Sequence, residues 1–176
     1  MRQLLIASSL GIILAAGAVA APLAAKTRTA IVRNANPDNP KAVILQSVKV
    51  PANAEWLLLS GIVPHPLDPE KAKTTPPTTV ADYGDTYVQT KSVLARIEGA
   101  LTRQGYGMSD VVRLTVYLVA DPATGTMDFD GMNRAYREYF GIGRNPYIVA
   151  RSTVEVKALA APGLLVEIEA TAAKAR

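Results

Sequence analysis

Hydrophobic residues recur with a helical period in one segment and with a strand period in the next. This change of period restricts the chain to folds that mix helices with a sheet. The helical face consists of residues that step by four, three, four, three and four positions: Tyr83, Tyr87, Thr90, Leu94, Ile97 and Leu101. This spacing predicts a long helix, which Gly105 or Gly107 can end. Apolar and polar residues then alternate over 112–118, which predicts a strand with one apolar face.

The remaining segments complete an α+β order of elements. Strands are predicted over 42–50 and 56–62, which a proline-containing turn joins into a hairpin. A second helix is predicted over 128–140, and the residues on its inner side are Phe129, Met132 or Asn133, Tyr136 and Phe140. Two further strands are predicted over 147–156 and 164–173. The order β-β-α-β-α-β-β implies right-handed crossovers, with both helices on one face of a single sheet. The other face needs a cover, which a closed homo-oligomer supplies most simply.

The most apolar run of the chain lies at its start and has the layout of an export signal. Arg2 provides the positive charge, residues 4–14 form the apolar region, and Ala18 and Ala20 are the small residues that a signal peptidase reads. We predict cleavage between Ala20 and Ala21. The alternative is an uncleaved membrane anchor, although the run is shorter than the roughly 20 apolar residues that a bilayer span requires.

This interpretation divides the chain into three parts. Residues 1–20 are a signal peptide, residues 21–41 are an extended, proline-punctuated arm with little expected function, and residues 42–176 are one domain. We expect the mature protein to be exported, either periplasmic or secreted, with no stable membrane association after cleavage.

The composition narrows the chemistry. The absence of cysteine among the 176 residues excludes a disulfide framework, a Cys-ligated metal site and a thiol nucleophile. The formal charge of +4 is spread along the chain, without a basic run or a series of stacking aromatic residues, so nucleic acid is not an expected partner. The one histidine, His65, lies in the proline-rich segment 64–79, which we predict to be a loop. Lacking a companion histidine, it fits a solvent-exposed loop residue better than a metal ligand or general base.

Charged residues interrupt the last two predicted strands. Arg151, Thr153 and Glu155 share one strand face, and Glu167 and Glu169 share a face of the final strand. Because charges in apolar strands are costly unless paired, two interpretations arise. Either Arg151 clamps a carboxylate ligand while a strand glutamate handles protons or water, or an Arg–Glu pair stabilises a subunit interface. On these residues alone the structural pair is the preferred interpretation.

Five segments, in the right order, resemble the signatures of the Rid (YjgF) family, the reactive-intermediate deaminases once named endoribonucleases. The resemblance extends from about Gln46 to Ala172. The matching segments are 59–64 (LSGIVP), 89–98 (QTKSVLARIE), 133–140 (NRAYREYF), 151–156 (RSTVEV) and 162–170 (PGLLVEIEA).

The resemblance implies a fold and an assembly. The fold is that of the bacterial chorismate mutases, a mixed sheet with two helices on one face, and the assembly is a homotrimer with three clefts between subunits. In the family the final strand lies in the middle of the sheet. The last two strands, which look like a hairpin in the sequence, are therefore not expected to pair.

The resemblance also implies a reaction, the hydrolysis of 2-imino or enamine acids to 2-oxo acids and ammonia without metal or organic cofactor. Arg151 matches the arginine that binds the substrate carboxylate, and Glu167 matches the glutamate near the hydrolytic water. Other cleft positions of the family fall on the following residues: Ser60, Gly61, Asn133 and Thr153.

Two positions depart from the family pattern. The tyrosine that active members carry in the first strand falls on Ile44, and the usual glutamine after the Ser-Gly pair falls on Ile62. Both changes replace polar groups with apolar ones, and the loop 64–79 looks longer than usual. A non-catalytic trimer that binds small carboxylates or partner proteins is therefore the alternative to a deaminase, and a ribonuclease ranks behind both.

Overall fold

The computed structural model describes residues 30–143 and 145–176. The predicted signal peptide and its cleavage position between Ala20 and Ala21 lie outside these residues. The described strands are β1 (Val32–Asn34), β2 (Ser47–Lys49), β3 (Glu55–Ile62), β4 (Val111–Leu118), β5 (Ala150–Glu155) and β6 (Val166–Lys174). The described helices are α1 (Pro69–Ala72), α2 (Val80–Tyr83), α3 (Thr86–Arg103) and α4 (Phe129–Tyr136), and a 3-10 turn, Met108–Asp110, precedes β4. Within the described ranges, every helix is too short or too polar to cross a membrane.

The main sheet confirms the α+β prediction and the strand order that the resemblance implied. Its order is β3-β6-β4-β5, so the last strand lies inside the sheet. Strand β6 is antiparallel to both of its neighbours, whereas β4 and β5 are parallel. The chain between β5 and β6 therefore passes over β4 instead of closing a hairpin.

Helix α3 follows the predicted apolar period, with one correction at its start. Val93, Leu94, Ile97 and Leu101 are fully buried against the sheet. Tyr83, at the start of the predicted face, belongs instead to the separate short helix α2. The backbone breaks between the two helices because Gly84 adopts a φ of 87°, and Asp85 then caps α3 through the Val88 N–H at 2.8 Å.

Helix α4 is shorter than predicted, since it ends at Tyr136 rather than Phe140. Hydrogen-bonded turns follow it, and they keep the Phe140 ring stacked on the Tyr136 ring at 4.7 Å. Met132 and Tyr136 are buried, which confirms the predicted inner side of this helix. Phe129, which was predicted to share that side, is 42% exposed.

The predicted hairpin between residues 42–50 and 56–62 is wrong. Strand β2 pairs with β1, from the segment predicted to be an extended arm, and β3 pairs with β6. The pairing with β6 sets Leu57 opposite Ala172 and Leu59 opposite Ala170, so that both leucines pack against the core. The three-residue strand β2 offers far less apolar surface, so the distant partner is favoured.

The proline-rich segment 64–79 contains one helical element that the loop prediction missed. Asp68 caps helix α1 by accepting hydrogen bonds from the N–H groups of Glu70 and Lys71, and Pro69 is its first residue. An Asp-Pro pair is a known helix-start signal, so this element was readable in the sequence.

The two faces of the main sheet differ sharply. On the face toward α3 and α4, Leu114, Val116 and Leu118 of β4 are fully buried. The opposite face carries Trp56 and Leu58 on β3, which are 50% and 72% exposed. We refer to this second side as the open face.

Candidate functional site

Arg151 lies on the helix-covered face of the sheet. In the parallel β4–β5 ladder it pairs with Leu114, and Thr153 pairs with Val116. Paired residues of neighbouring strands point to the same side, and both partners on β4 are core residues. The arginine and threonine of β5 therefore point to the helix-covered face.

Helix α4 encloses the Arg151 guanidinium. One guanidinium nitrogen donates to Asn133 Oδ1 at 2.7 Å, and another lies 3.5 Å from Met132 Sδ. The guanidinium carbon lies 4.5 Å from the centre of the Tyr136 ring and 5.9 Å from that of Phe129. An amide, a thioether and two aromatic rings thus fix its position, and we call this group the arginine half-site.

The Arg151 guanidinium in the arginine half-site is charged and has N–H donors that its protein contacts do not use. Burial lowers the pKa of Arg151, and the nearby charge of Arg137 acts in the same direction, but a guanidinium remains protonated at physiological pH. Among the described residues, none supplies a carboxylate within ion-pairing distance. Thr153 Oγ1 is also buried without a hydrogen-bond partner in the described part of the chain. A small anion would meet both requirements.

Glu167 lies on the open face. It pairs with Tyr117 of β4, whose side alternates with the buried residues of that strand. Its carboxylate covers Gly61, where an added Cβ atom would lie only 1.8 Å from Glu167 Oε1. A side chain at position 61 would displace the carboxylate, which explains the glycine beside Ser60. We call Ser60, Gly61 and Glu167 the glutamate half-site.

The two half-sites do not meet within one protomer. Strand β4 separates β5 from β6, and Arg151 and Glu167 point to opposite faces of the sheet. The structure therefore brings Arg151 together with Asn133, and Glu167 together with Gly61, but it does not join these pairs. A ligand can touch both half-sites only between copies of the chain.

The two departures from the family pattern have different structural consequences. Ile62 pairs with Ile168 and packs against the core, so it removes no polar group from either half-site. Ile44 adjoins Leu45, whose N–H donates to Val149 O at 2.9 Å, immediately before β5. The change at position 44 is therefore the one that lies beside the arginine half-site.

His65 is exposed, as predicted. Its backbone N–H donates to Ser92 Oγ at 2.9 Å, and partial burial, followed by the charge of Arg96, lowers the pKa of its imidazole. In the described ranges no group of three or more His, Asp or Glu side chains is arranged to hold a metal ion. The structure thus places His65 at an exposed position of this loop.

The sequence interpretation missed the aromatic wall of the arginine half-site. Tyr136 and Phe129 were assigned only to the inner side of a helix, yet their rings lie over the guanidinium. The signal was the spacing of Phe129, Met132, Asn133 and Tyr136, which places all four on one side of α4. The sequence could not show that this side also covers β5.

Comparisons with known proteins place the chain among relatives. A family model described as Endoribonuclease L-PSP matches residues 41–174. A RutC family protein of Pyrococcus horikoshii is 34% identical over 139 residues, which cover 79% of this chain and 93% of the relative.

Two crystal structures are also similar. YyfB of Yersinia pestis, from the Rid protein family, is 28% identical with a TM-score of 0.58, over 81% of this chain and 98% of that one. PA3499 of Pseudomonas aeruginosa is 29% identical with a TM-score of 0.51, over 81% of this chain and 92% of that one.

Proposed function

From the premise that this chain belongs to the Endoribonuclease L-PSP family, also called the Rid or YjgF family, we propose that it hydrolyses 2-imino and enamine acids to 2-oxo acids and ammonia. The observation that carries the proposal is the half-buried Arg151 guanidinium, which Asn133 and Tyr136 hold in place while its other donors stay available. A planar donor fork of this kind matches the two oxygens of a carboxylate.

Both half-sites contribute to the proposed reaction. Arg151 binds the substrate carboxylate and so holds the imine carbon beside Glu167 of a second copy. Glu167 accepts a proton from a water molecule as the water oxygen bonds to that carbon. Glu167 returns this proton to the nitrogen, which gives a carbinolamine. The hydroxyl proton of the carbinolamine then passes to the nitrogen as the C=O bond forms and the C–N bond breaks, so ammonia leaves and a 2-oxo acid remains. Because an imine is already electrophilic, positioning the carboxylate and one water supplies most of what this chemistry requires.

The proposed active form is a homotrimer with the reaction sites between protomers. Support comes from the opposite orientation of Arg151 and Glu167 and from the exposed Trp56 and Leu58 on the open face. Covering this apolar surface favours closed association, and the family resemblance sets the number of copies at three.

Hybrid trimers test this arrangement directly. Arg151→Ala and Glu167→Gln protomers, each strongly impaired alone at substrate concentrations below the KM of the variants, are unfolded together in equal amounts and refolded. If each site takes Arg151 from one protomer and Glu167 from its neighbour, about one quarter of the sites regain both residues and the turnover returns to that extent. Each variant refolded alone is the control. No recovery in mixtures shown by mass spectrometry to contain hybrids contradicts the arrangement.

The deaminase activity itself is tested with unstable substrates made in place. An amino-acid oxidase generates 2-iminopropionate or 2-iminobutanoate, and oxo-acid formation is followed with and without the purified protein. We expect acceleration over buffer. A flat trace together with measurable binding of 2-oxobutanoate would instead support a non-catalytic carboxylate-binding trimer, which the isoleucine at position 44 would then explain.

We also propose that the protein is exported, on the strength of Arg2, the apolar residues 4–14 and the small residues before Ala21. The intact mass of the protein recovered from its native cell envelope tests this. We expect the mass of a chain that begins at Ala21. The mass of the full-length chain, found in the membrane fraction, would favour an anchor.

A further inference from the structure

Arg33 belongs to β1, in a segment that precedes the residues matched to the family model, yet it is bound firmly to the domain. One of its terminal nitrogens donates to Val111 O at 2.9 Å and to Ile148 O at 3.3 Å, and the other donates to Ser109 O at 2.8 Å. Its guanidinium also lies 4.7 Å from the centre of the Tyr147 ring. A single side chain therefore holds backbone groups at the starts of both β4 and β5.

The guanidinium of Arg33 is partly removed from water, and its contacts compensate for the lost hydration. Desolvation lowers the pKa of this guanidinium, and the nearby Tyr147 and Asp110 oppose that effect. A charge is rarely removed from water without such contacts, because desolvation is costly. The carbonyl contacts of Arg33 thus fix its side chain in one position. An arginine that only lay on the surface would not need these contacts.

The contacts of Arg33 lead directly to the arginine half-site. Ile148 and Val149 directly precede β5 and lie three and two positions before Arg151. The Val149 N–H donates to the Tyr136 hydroxyl at 3.3 Å, and Val149 O accepts from the Leu45 N–H at 2.9 Å. The Arg151 guanidinium lies against the face of the Tyr136 ring. Burial raises the pKa of Tyr136, and the positive charges of Arg151 and Arg33 act in the opposite direction.

We propose that Arg33 is a positioning residue for the carboxylate-binding Arg151. It holds the carbonyl of Ile148, which fixes Val149 against the Tyr136 hydroxyl and so sets the height of the Tyr136 ring beneath the Arg151 guanidinium. Arg33 does not touch the substrate in this arrangement. The ligand class rests on the proposed function, whereas the coupling between the two arginines does not.

The test compares Arg33→Ala with Asn34→Ala in the full chain. Asn34 lies beside Arg33 in β1, and its side chain donates to Ser47 Oγ at 3.0 Å, so its loss weakens the β1–β2 pairing without touching β5. For Arg33→Ala we expect KM for 2-iminobutanoate to rise roughly tenfold or more while kcat changes little, because misplacement of a binding group weakens productive positioning. The Arg151 Nε–Hε resonance in NMR spectra should shift in the same variant. Asn34→Ala should leave KM and this resonance unchanged.

The inference is overturned if Arg33→Ala leaves KM and the Arg151 resonance unchanged, or if Asn34→Ala alters both to the same extent. Should Arg33→Ala fail to fold, Arg33→Gln provides the same readouts. The Gln amide can donate to only some of the three carbonyls that Arg33 binds, so the contacts are weakened without being removed. If the parent protein shows no turnover, the deaminase proposal fails, and the Arg151 resonance alone still decides the role of Arg33.

Discussion

The arginine half-site and the glutamate half-site are built to different degrees of completion. In the first, Asn133, Met132 and Tyr136 surround the guanidinium beneath α4, and no second copy of the chain is needed to hold it. In the second, Glu167 lies over Gly61 on a face whose neighbours include the 72% exposed Leu58.

This difference suits the two half-sites to different tasks, carboxylate binding at Arg151 and proton transfer at Glu167. Ionic attraction strengthens where water is excluded, so the enclosed Arg151 is suited to hold a carboxylate. The open side of the sheet becomes comparably dry only when another protomer covers it. We infer that one copy provides the bound ligand with its position and the next copy provides it with a proton acceptor.

Leu58→Glu should have the largest effect, because it places a charge on the face that must close. We expect a monomer by light scattering and loss of essentially all turnover, since the two half-sites then never meet. Leu67→Glu is the control, as Leu67 is 59% exposed but lies in the loop 64–79. A monomeric Leu58→Glu protein with full turnover would show that one protomer contains a complete site.

Glu167→Gln should have the next largest effect and should act on turnover alone. The amide keeps the shape of the side chain but cannot accept the proton, so kcat should fall about 10²- to 10⁴-fold while 2-oxobutanoate binding persists. Glu169→Gln is the matched control, because Glu169 shares the strand and the face and accepts a hydrogen bond from the Tyr117 hydroxyl at 3.2 Å. Equal losses in both variants would mean that the charge of the face matters and that Glu167 has no special role.

Arg151→Ala should weaken 2-oxobutanoate binding by roughly 2–4 kcal/mol, the cost of losing one charge-assisted pair in an enclosed site. Arg151→Lys should be nearly as damaging, because an ammonium presents a point charge where the fork made two parallel bonds. Isothermal titration calorimetry measures both effects, with Arg176→Ala as the control, since Arg176 is exposed and pairs with Glu55 at 2.7 Å. Unchanged affinity in a trimeric Arg151→Ala protein would make the arginine a structural residue.

The smallest effect concerns the loop that follows the glutamate half-site. Hydrogen bonds from Thr79 and Thr78 lower the pKa of Asp82 from 3.8 to about 2. A lowered pKa in the folded state stabilises the protein above pH 3.8, and this contribution disappears as the pH falls through about 2. The Tm advantage over Asp82→Asn, followed by circular dichroism, should therefore shrink across this range. If the Tm advantage persists undiminished at low pH, the hydrogen bonds of Asp82 stabilise the protein whether or not the carboxyl group is charged.

Local patterns predicted the elements better than their pairing. The periodicity of Leu94, Ile97 and Leu101 identified α3, because burial of one helix face depends on residues close in sequence. The pairing of β2 with β1 was missed, since β1 is held to the domain by Arg33, which contacts a carbonyl 78 positions away. The central place of β6 came from the family resemblance alone, because alternation shows that a strand exists but not which strands flank it.

The candidate site divides in the same way. Family motifs identified Arg151, Asn133, Gly61 and Glu167, whose contacts the structure describes. Residue alternation alone does not show that Arg151 and Glu167 point to opposite faces, because that depends on the order of β5, β4 and β6. The role assigned to Arg33 lay outside the motifs entirely.

The central position of β6 also governs the order in which the protein can fold as it is made. Strands β3 and β4 do not pair with each other, and both wait for residues 166–174, which are synthesised after every other described strand. Such long-range pairing slows folding, and until the ribosome has finished this segment the sheet exists only as the β4–β5 pair. For the export proposed above, which requires an unfolded chain, this arrangement provides time, because the main sheet cannot close before its last strand arrives.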